Sequence, residues 1–405
     1  MPKPNVRVCW ALGNTTQHAH LEVKPHIILV GPAYPYRGGI ASFIHRLGEE
    51  YRKHDYTVEI ITFTLQYPGF LFPGTSQYNT GPNPTTIPIR RMIHALNPLS
   101  WIRTGLYIRK KKATRVLINY WLPFFGFCFA VIARLAKRSG ITTITGIVHN
   151  IIPHEKRPFD QAFTRLFVRA TDDFVVMSRS VEEQMRLFTK TKPVRYHPHP
   201  IYDNYGDPVD RNTALAAIHL DADYRYILYF GFIRKYKGLD LLILAMKDPY
   251  FLQNKIRLLI AGEYYEPREE YQTLIQSLPH PEVVVEHTEF IPDDRVKYYF
   301  SAVDLVAQPY RSATQSGISQ LAIFFEKPMV VTRVGGLPEI IGDRQGGLVV
   351  DTNPVSIGDA MKIYFEENHQ ADFTRHIQSI KPHYSWSAFF ECIERPGTLS
   401  SKSKP

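Results

Sequence analysis

Short runs of consecutive apolar residues recur along the chain. Each is followed by a Gly- or Pro-bearing loop and then by apolar positions three and four apart. Ile27-Ile-Leu-Val30 is the first run, and the loop Gly31 to Gly39 follows it. Ile40, Phe43, Ile44 and Leu47 then mark one face of a helix beginning at Gly39. Val58 to Phe63 predicts the next strand, and Tyr67 to Pro88 a long Pro- and Gly-rich loop, a type that often serves as a lid. A basic helical segment is expected after it, then strands at Arg115 to Trp121, Thr143 to His149 and Asp173 to Ser178. Continuous apolar strands alternating with helices predict a parallel sheet covered on both faces.

His197-Pro-His-Pro-Ile-Tyr-Asp-Asn-Tyr-Gly206 has the composition of a linker. A second series of strands is expected beyond it, at Tyr226 to Phe230, Ile256 to Ala261, Val283 to Glu286, Leu305 to Gln308, Met329 to Thr332 and Leu348 to Val350. The chain thus divides into a polar leader (1–24), one α/β domain (25–200), a second (201–383) and a polar tail (397–405). Two doubly wound domains place a substrate cleft between the carboxyl ends of their strands.

Composition narrows this only a little. Over 405 residues, 44% apolar and 21% charged positions exclude a wholly disordered chain, a collagen-like one and a polytopic membrane protein. Lys plus Arg exceed Asp plus Glu by 48 to 38, giving +10, which favours anionic partners. Cys9, Cys128 and Cys392 are too scattered for a disulfide framework or a metal site, which suggests a reducing compartment. Val116 to Ala133 carries no charge, yet Pro123 and Gly126 interrupt it, so a buried strand and helix are expected rather than a membrane span.

The strongest local signal is Tyr229-Phe-Gly-Phe-Ile-Arg-Lys-Tyr-Lys-Gly-Leu-Asp-Leu-Leu242. A strand ends there in a glycine loop bearing Arg234, Lys235 and Lys237, and a helix begins near Gly238. Fixed cations beside helix-start N–H groups suit a diphosphate, although a solvated basic loop has the same composition. Gly335 and Gly336 allow close backbone approach before a helix carrying Glu339, or simply make a tight turn. Ser312 to Ile318 is a small-residue loop whose N–H groups can cradle phosphate oxygens. Gly38 and Gly39 lack dinucleotide-binding spacing. His149 ends a strand facing the expected cleft and is a candidate catalytic or substrate contact; His149 and His154 lack zinc spacing, so no metal site is expected.

Taken in order, the Gly-Gly loop, the His149-Asn150 strand end, Gly231 with Lys237-Gly238, and Val334-Gly-Gly-Leu-Pro-Glu339 resemble family-4 retaining glycosyltransferases of the GT-B fold. The resemblance runs from about residue 25 to 395 and includes Tyr384-Ser-Trp386, like the start of the family's helix (about 384–396) that crosses back to the first domain. It implies two Rossmann-like domains, the first taking an acceptor and the second a nucleotide-sugar donor. Lys237 matches the family's diphosphate-binding lysine; the usual arginine after the glycine is replaced by Phe232, and the resemblance shifts that role to Arg234. His149 matches the histidine near the reacting sugar, with Asn150 beside it. Gly38, Gly39, Gly262, Glu263, Phe290, Ile291, Gly335, Gly336 and Glu339 match positions around the donor. The family's paired glutamates fall on Ala313 and Leu321, so their contacts pass to Gln315, Ser316, Gly317 and Glu339.

The resemblance implies metal-independent, retaining sugar transfer to a glycan, lipid-linked or small-molecule acceptor, with no cofactor. It also implies a cytoplasmic protein, with the basic stretch 103–115, where Trp101 and Tyr107 are interleaved, a candidate for peripheral contact with the inner membrane face. No nucleic-acid module accompanies the charge. Two alternatives stay open: a non-catalytic nucleotide-sugar-binding or scaffold protein, which the missing glutamates suggest, and a sugar-nucleotide epimerase, which could use the same two-domain fold.

Overall fold

The structure is a computed structural model that describes residues 24–67, 78, 82–83, 85–152, 158–313 and 316–395. The polar leader up to residue 23, most of the expected 67–88 loop, His154, Gln315 and the 397–405 tail lie outside the described residues.

The first sheet contains β1 His26–Val30, β2 Thr57–Leu65, β3 Ile89–His94, β4 Arg115–Tyr120, β5 Thr143–Val148, β6 Asp173–Val176 and β7 Val194–Tyr196. Its order is β3-β2-β1-β4-β5-β6-β7, and every pairing is parallel. The helices that cover it are α1 Gly39–Lys53, α2 Pro98–Lys111, α3 Gly126–Lys137, α4 Asp160–Ala170 and α5 Arg179–Met185.

The second sheet contains β8 Arg225–Phe230, β9 Ile256–Ala261, β10 Val284–His287, β11 Leu305–Gln308, β12 Met329–Thr332 and β13 Gly347–Val350. They run parallel in the order β10-β9-β8-β11-β12-β13. Around it lie α6 Arg211–Ala217, α7 Leu239–Ala245, α8 Pro249–Gln253, α9 Arg268–Gln276 and α10 Val296–Ala302. Beyond these come α11 Gly317–Phe324, α12 Leu337–Ile341, α13 Pro354–Glu366, α14 Gln370–Ile380 and α15 Trp386–Glu394. Both sheets are doubly wound, and strand order reverses at β1/β4 and at β8/β11. Loops leaving those strand ends open into a crevice where such sheets take ligands.

The apolar runs become strands because both faces are covered: Leu29, Val30, Leu117, Ile118, Leu228 and Leu259 are all fully buried. The uncharged Val116–Ala133 stretch is β4, a short 3-10 turn at Pro123–Phe125 and the start of α3. No described helix is long and apolar enough to cross a membrane. Two strands of the first sheet differ from expectation, one of them the short edge strand β7 just before the linker. Ile89–His94, anticipated as part of a basic helix, is the edge strand β3. Arg90 and Arg91 stay exposed while Ile93 is buried, and an edge strand tolerates charges that a central one does not. Arg90 pairs there with Glu59 of β2.

The chain ends by returning to the first domain. Ser385 accepts a hydrogen bond from Ala388 N at 3.2 Å and so caps α15. Trp386, Phe389, Phe390 and Ile393 bury against Phe43, Ile44 and Leu47 of α1. Tyr51 Oη donates to Glu394 Oε1 at 2.6 Å. Trp386 Nε1 donates to the Ile201 carbonyl at 2.9 Å, so the returning helix also grips the segment joining the two sheets. Phe389→Ala, which truncates a fully buried aromatic, is expected to cost about 3–5 kcal/mol. Calorimetry should show an early thermal transition; an unchanged profile would contradict this role for α15.

Candidate functional site

β8 ends at Phe230 and the chain turns at Gly231, whose φ is 94°. Lys235–Lys237 form one 3-10 turn, and Gly238 lies at φ 66°. A Cβ on Gly238 would sit 2.0 Å from the Pro309 carbonyl oxygen, so only glycine lets the loop pack beneath the end of β11. Arg311 N donates to the Tyr236 carbonyl at 2.7 Å, and its guanidinium grips Asp240 in two bonds of 2.7 and 2.6 Å. Those two charges are spent on each other.

Lys237 and Arg234 are not. Among the described residues neither forms an ion pair; Arg234 lies 5.1 Å from the Tyr265 ring and Lys237 Nζ 5.8 Å from the Tyr310 ring. Phe232, which stands where a basic residue was sought, is exposed and packs on Tyr265. Burial, and then the neighbouring Arg234, push the Lys237 ammonium down to about 8. Two adjacent cations lacking a carboxylate form a site that an anion completes.

In the first domain, β5 delivers His149 and Asn150. His149 N donates to the Tyr120 carbonyl at 2.8 Å, and its Nε2 lies 3.0 Å from Asn119 Oδ1. Asn119 Nδ2 points to the Val30 carbonyl at 3.5 Å, which turns Oδ1 toward the imidazole and makes Nε2 the donor. Phe43 meets the ring edge-on with centroids 5.0 Å apart. Burial, and then His199, hold the His149 pKa down to about 3, so the ring is neutral. Gly38, at φ 119°, caps α1 without a side-chain bond, and a Cβ there would meet nothing within 4 Å. The N–H groups of the first turn of α1 are therefore uncapped by any side chain and lack an acidic neighbour in that turn.

Tyr202, in the joining segment, brings the two sides together. Its ring lies 3.0 Å from where a Gly317 Cβ would be, and its hydroxyl 3.4 Å from where a Gly39 Cβ would be. The starts of α1 and α11 thus face one aromatic ring. Ser316 caps α11 by accepting from Ile318 N at 3.2 Å. The cavity between them measures about 290 Å³. Its walls are Gly39 and Ile40 from α1, His149 and Asn150 from β5, His199 and Tyr202 from the joining segment, and Ser316 and Gly317 from α11. Gly231 lies between the cationic loop and α11: a Cβ on it would lie 3.3 Å from Lys237 Nζ and 3.6 Å from Ile318 Cδ1.

The structure therefore gathers Gly39, His149, Asn150, Ser316 and Gly317 around one cavity, with Gly38 next in sequence at the cap of α1 and Arg234 and Lys237 alongside. Gly262 packs against Gly231, where a Cβ would lie 2.5 Å from the Gly231 carbonyl oxygen, and the Glu263 carbonyl accepts from Ile233 N at 2.8 Å. Phe290 is exposed and Ile291 packs at the edge of the second core. Gly335 and Gly336 turn the chain into α12. Glu339 does not line the cavity; its Oε2 accepts from Arg179 N of the first domain at 3.4 Å, and burial raises its pKa. Sequence reasoning missed Asn119, His199 and Tyr202. Two signals were available: an amide inside an apolar strand, and a linker unusually rich in His and Tyr. Among the described residues no group of three His, Cys, Asp or Glu side chains could hold a metal.

Residues 37–203 match Glycosyltransferase Family 4, and residues 210–378 match Glycosyl transferases group 1. The chain is 27% identical over 192 residues to D-inositol 3-phosphate glycosyltransferase of Mycobacteroides abscessus, a match over 46% of this chain and 42% of that protein. It thus spans less than half the length of that relative. Sucrose-phosphate synthase from Thermosynechococcus elongatus shares the fold with a TM-score of 0.68 at 17% identity, over 91% of this chain and 97% of its own. Anabaena HepE in complex with UDP does so with a TM-score of 0.69 at 15% identity, over 91% and 98%. With one family matched in each half, and the whole architecture shared with solved GT-B proteins, this chain belongs to the family-4, group 1 glycosyltransferases of the GT-B fold.

Proposed function

We propose that the protein transfers a sugar from a nucleotide-sugar donor to an acceptor, with retained anomeric configuration and without a metal ion. The observation that carries this reading is the pair Arg234 and Lys237, uncompensated by any described carboxylate and adjacent to an uncharged cavity. When the bond from the anomeric carbon to the diphosphate oxygen breaks, negative charge grows on the leaving group. Preorganised cations meet that charge without reorganising, and a single donor of this kind is worth about 2.7–4 kcal/mol. The name of the Mycobacteroides relative and the UDP held by the Anabaena neighbour support the same reading. Retention of configuration rests on the family resemblance. One observation favours a second reading, a nucleotide-sugar-binding protein without turnover: Ala313 and Leu321 stand where carboxylates were sought, and Leu321 is buried.

The acceptor side of the proposal concerns α2. Leu99, Ile102 and Leu106 lie along its exposed face at 69%, 41% and 44% exposure, with exposed Arg103 between them and exposed Lys110 one turn beyond Leu106. An apolar stripe set among cations suits an anionic bilayer surface and a lipid-linked acceptor.

Three outcomes test these points. Lys237→Ala is expected to keep the fold and lose on the order of a hundredfold in turnover, whereas chelation by EDTA should change nothing; near-wild-type turnover by the variant would sink the assignment. Raising pH from 7 to 9.5 deprotonates Lys237 above about 8 in the free protein. Nucleoside diphosphate affinity should then fall by up to about tenfold per unit, and Lys237→Met should flatten the profile. In flotation assays the protein should rise with phosphatidylglycerol vesicles but not with phosphatidylcholine. A combined Leu99→Ser, Ile102→Ser, Leu106→Ser variant that floats equally well would rule out α2 as the contact.

A further inference from the structure

The backbone of the cationic loop is gripped from two sides. Ile233 N donates to the Glu263 carbonyl at 2.8 Å, and the Ile233 carbonyl accepts from Tyr265 N at 3.1 Å. These bonds prolong the pairing of β8 with β9 beyond both strand ends, and Arg234 keeps the extended backbone of a strand at φ −139° and ψ 148°. In a parallel pair, alternate residues bond the same neighbouring strand, so Lys235 N is the next donor in line. Its partner is a side chain instead. Glu266 Oε1 accepts from Lys235 N at 2.7 Å, and Tyr271 Oη donates to Glu266 Oε2 at 3.0 Å. Tyr271 is buried; burial, and then its bond to Glu266, raise its pKa, so the phenol remains a donor.

The peptide unit that carries the Lys235 N–H also carries the Arg234 carbonyl. That carbonyl accepts from Lys237 N at 2.8 Å and closes the turn bearing Lys237. A peptide unit is a rigid plane, so a carboxylate that fixes its N–H side also fixes the carbonyl on the other. The next carbonyl, that of Lys235, accepts from Arg311 Nη1 at 2.9 Å, and Arg311 is itself locked to Asp240. Glu266 does not spend its charge on the cations. Its oxygens meet a backbone N–H and a phenol, and burial and Arg234 lower the Lys237 pKa with no carboxylate opposing them.

Building on the donor reading above, we propose that Glu266 is a positioning residue for diphosphate binding. It fixes the Arg234–Lys235 peptide so that both cations converge on the ligand, and Tyr271 orients it for that task. A purely electrostatic role for Glu266 predicts the opposite sign. Removing a negative charge beside an anion site strengthens anion binding, whereas removing a backbone tether weakens it.

The test is isothermal titration of the full chain with UDP, GDP and ADP, on wild type, Glu266→Gln, Glu266→Leu and Tyr271→Phe. Hydrogen–deuterium exchange on the peptide spanning residues 232–238 accompanies it. Gln and Leu remove the same charge, but only Gln keeps an acceptor oxygen for Lys235 N. Glu266→Leu is expected to speed exchange in that peptide and to weaken the diphosphate that wild type binds by about tenfold or more. Glu266→Gln should stay within about threefold of wild type in affinity, and Tyr271→Phe should lose about threefold or more. Tyr271→Phe carries the comparison if Glu266→Leu melts early. Wild-type affinity in both Glu266→Leu and Tyr271→Phe overturns the inference. So does tighter binding by Glu266→Leu, or a loss in Glu266→Gln as large as in Glu266→Leu. If none of the three nucleotides binds the wild-type protein, the donor reading itself fails, and the inference falls with it.

Discussion

A lysine ammonium is seldom withdrawn from water without a carboxylate beside it, because the lost hydration is not replaced. Lys237 is partly withdrawn in this way, and its neighbour is another cation, Arg234. The carboxylate nearest in sequence, Asp240, is already held in two bonds by Arg311. The loop keeps this unfavourable arrangement because its backbone is fixed from outside. Gly238 packs against the Pro309 carbonyl, and Gly231 lies against Gly262 where β8 and β9 end. The second sheet thus holds a positive site open, where burial and the Arg234 charge lower the Lys237 pKa to about 8.

The first domain supplies the complementary half through contacts that cross between sheets. Arg46 of α1 grips Asp203 of the joining segment in bonds of 2.8 and 2.7 Å and lies 5.1 Å from the Trp386 ring. Trp386 in turn holds the Ile201 carbonyl. The joining segment is therefore clamped on two sides, and that clamp sets Tyr202 between the Gly39 and Gly317 helix starts. Two uncapped or lightly capped helix ends, one neutral histidine pair and one cation pair then share a single crevice.

Much of this was readable before any coordinates. Runs such as Ile27–Val30 and Ile256–Ala261 encode buried parallel strands directly, because covering both faces removes the polar alternation that would obscure them. The cationic loop was readable as well, since Gly231, Arg234 and Lys237 are close in sequence and follow a strand. Ile89–His94 was not, because its two arginines belong to an edge position that only the finished sheet defines. His199 and Tyr202 were hidden for a related reason. Their place depends on where the joining segment passes between the domains, and composition alone describes a linker. For Glu339 the resemblance implied a donor contact, and what the sequence did not announce is that its carboxylate also meets the Arg179 backbone across the cleft.

The central claim is that Arg234 and Lys237 receive the diphosphate of a nucleotide donor. Thermal stabilisation by UDP, GDP, ADP and CMP, run with and without magnesium on wild type and on Lys237→Ala, tests it most directly. The account predicts that one nucleoside diphosphate raises the melting temperature, that magnesium is not required, and that the substitution abolishes the shift. A flat response of the wild-type protein to all four nucleotides at millimolar concentration, or an undiminished shift in Lys237→Ala, would contradict it.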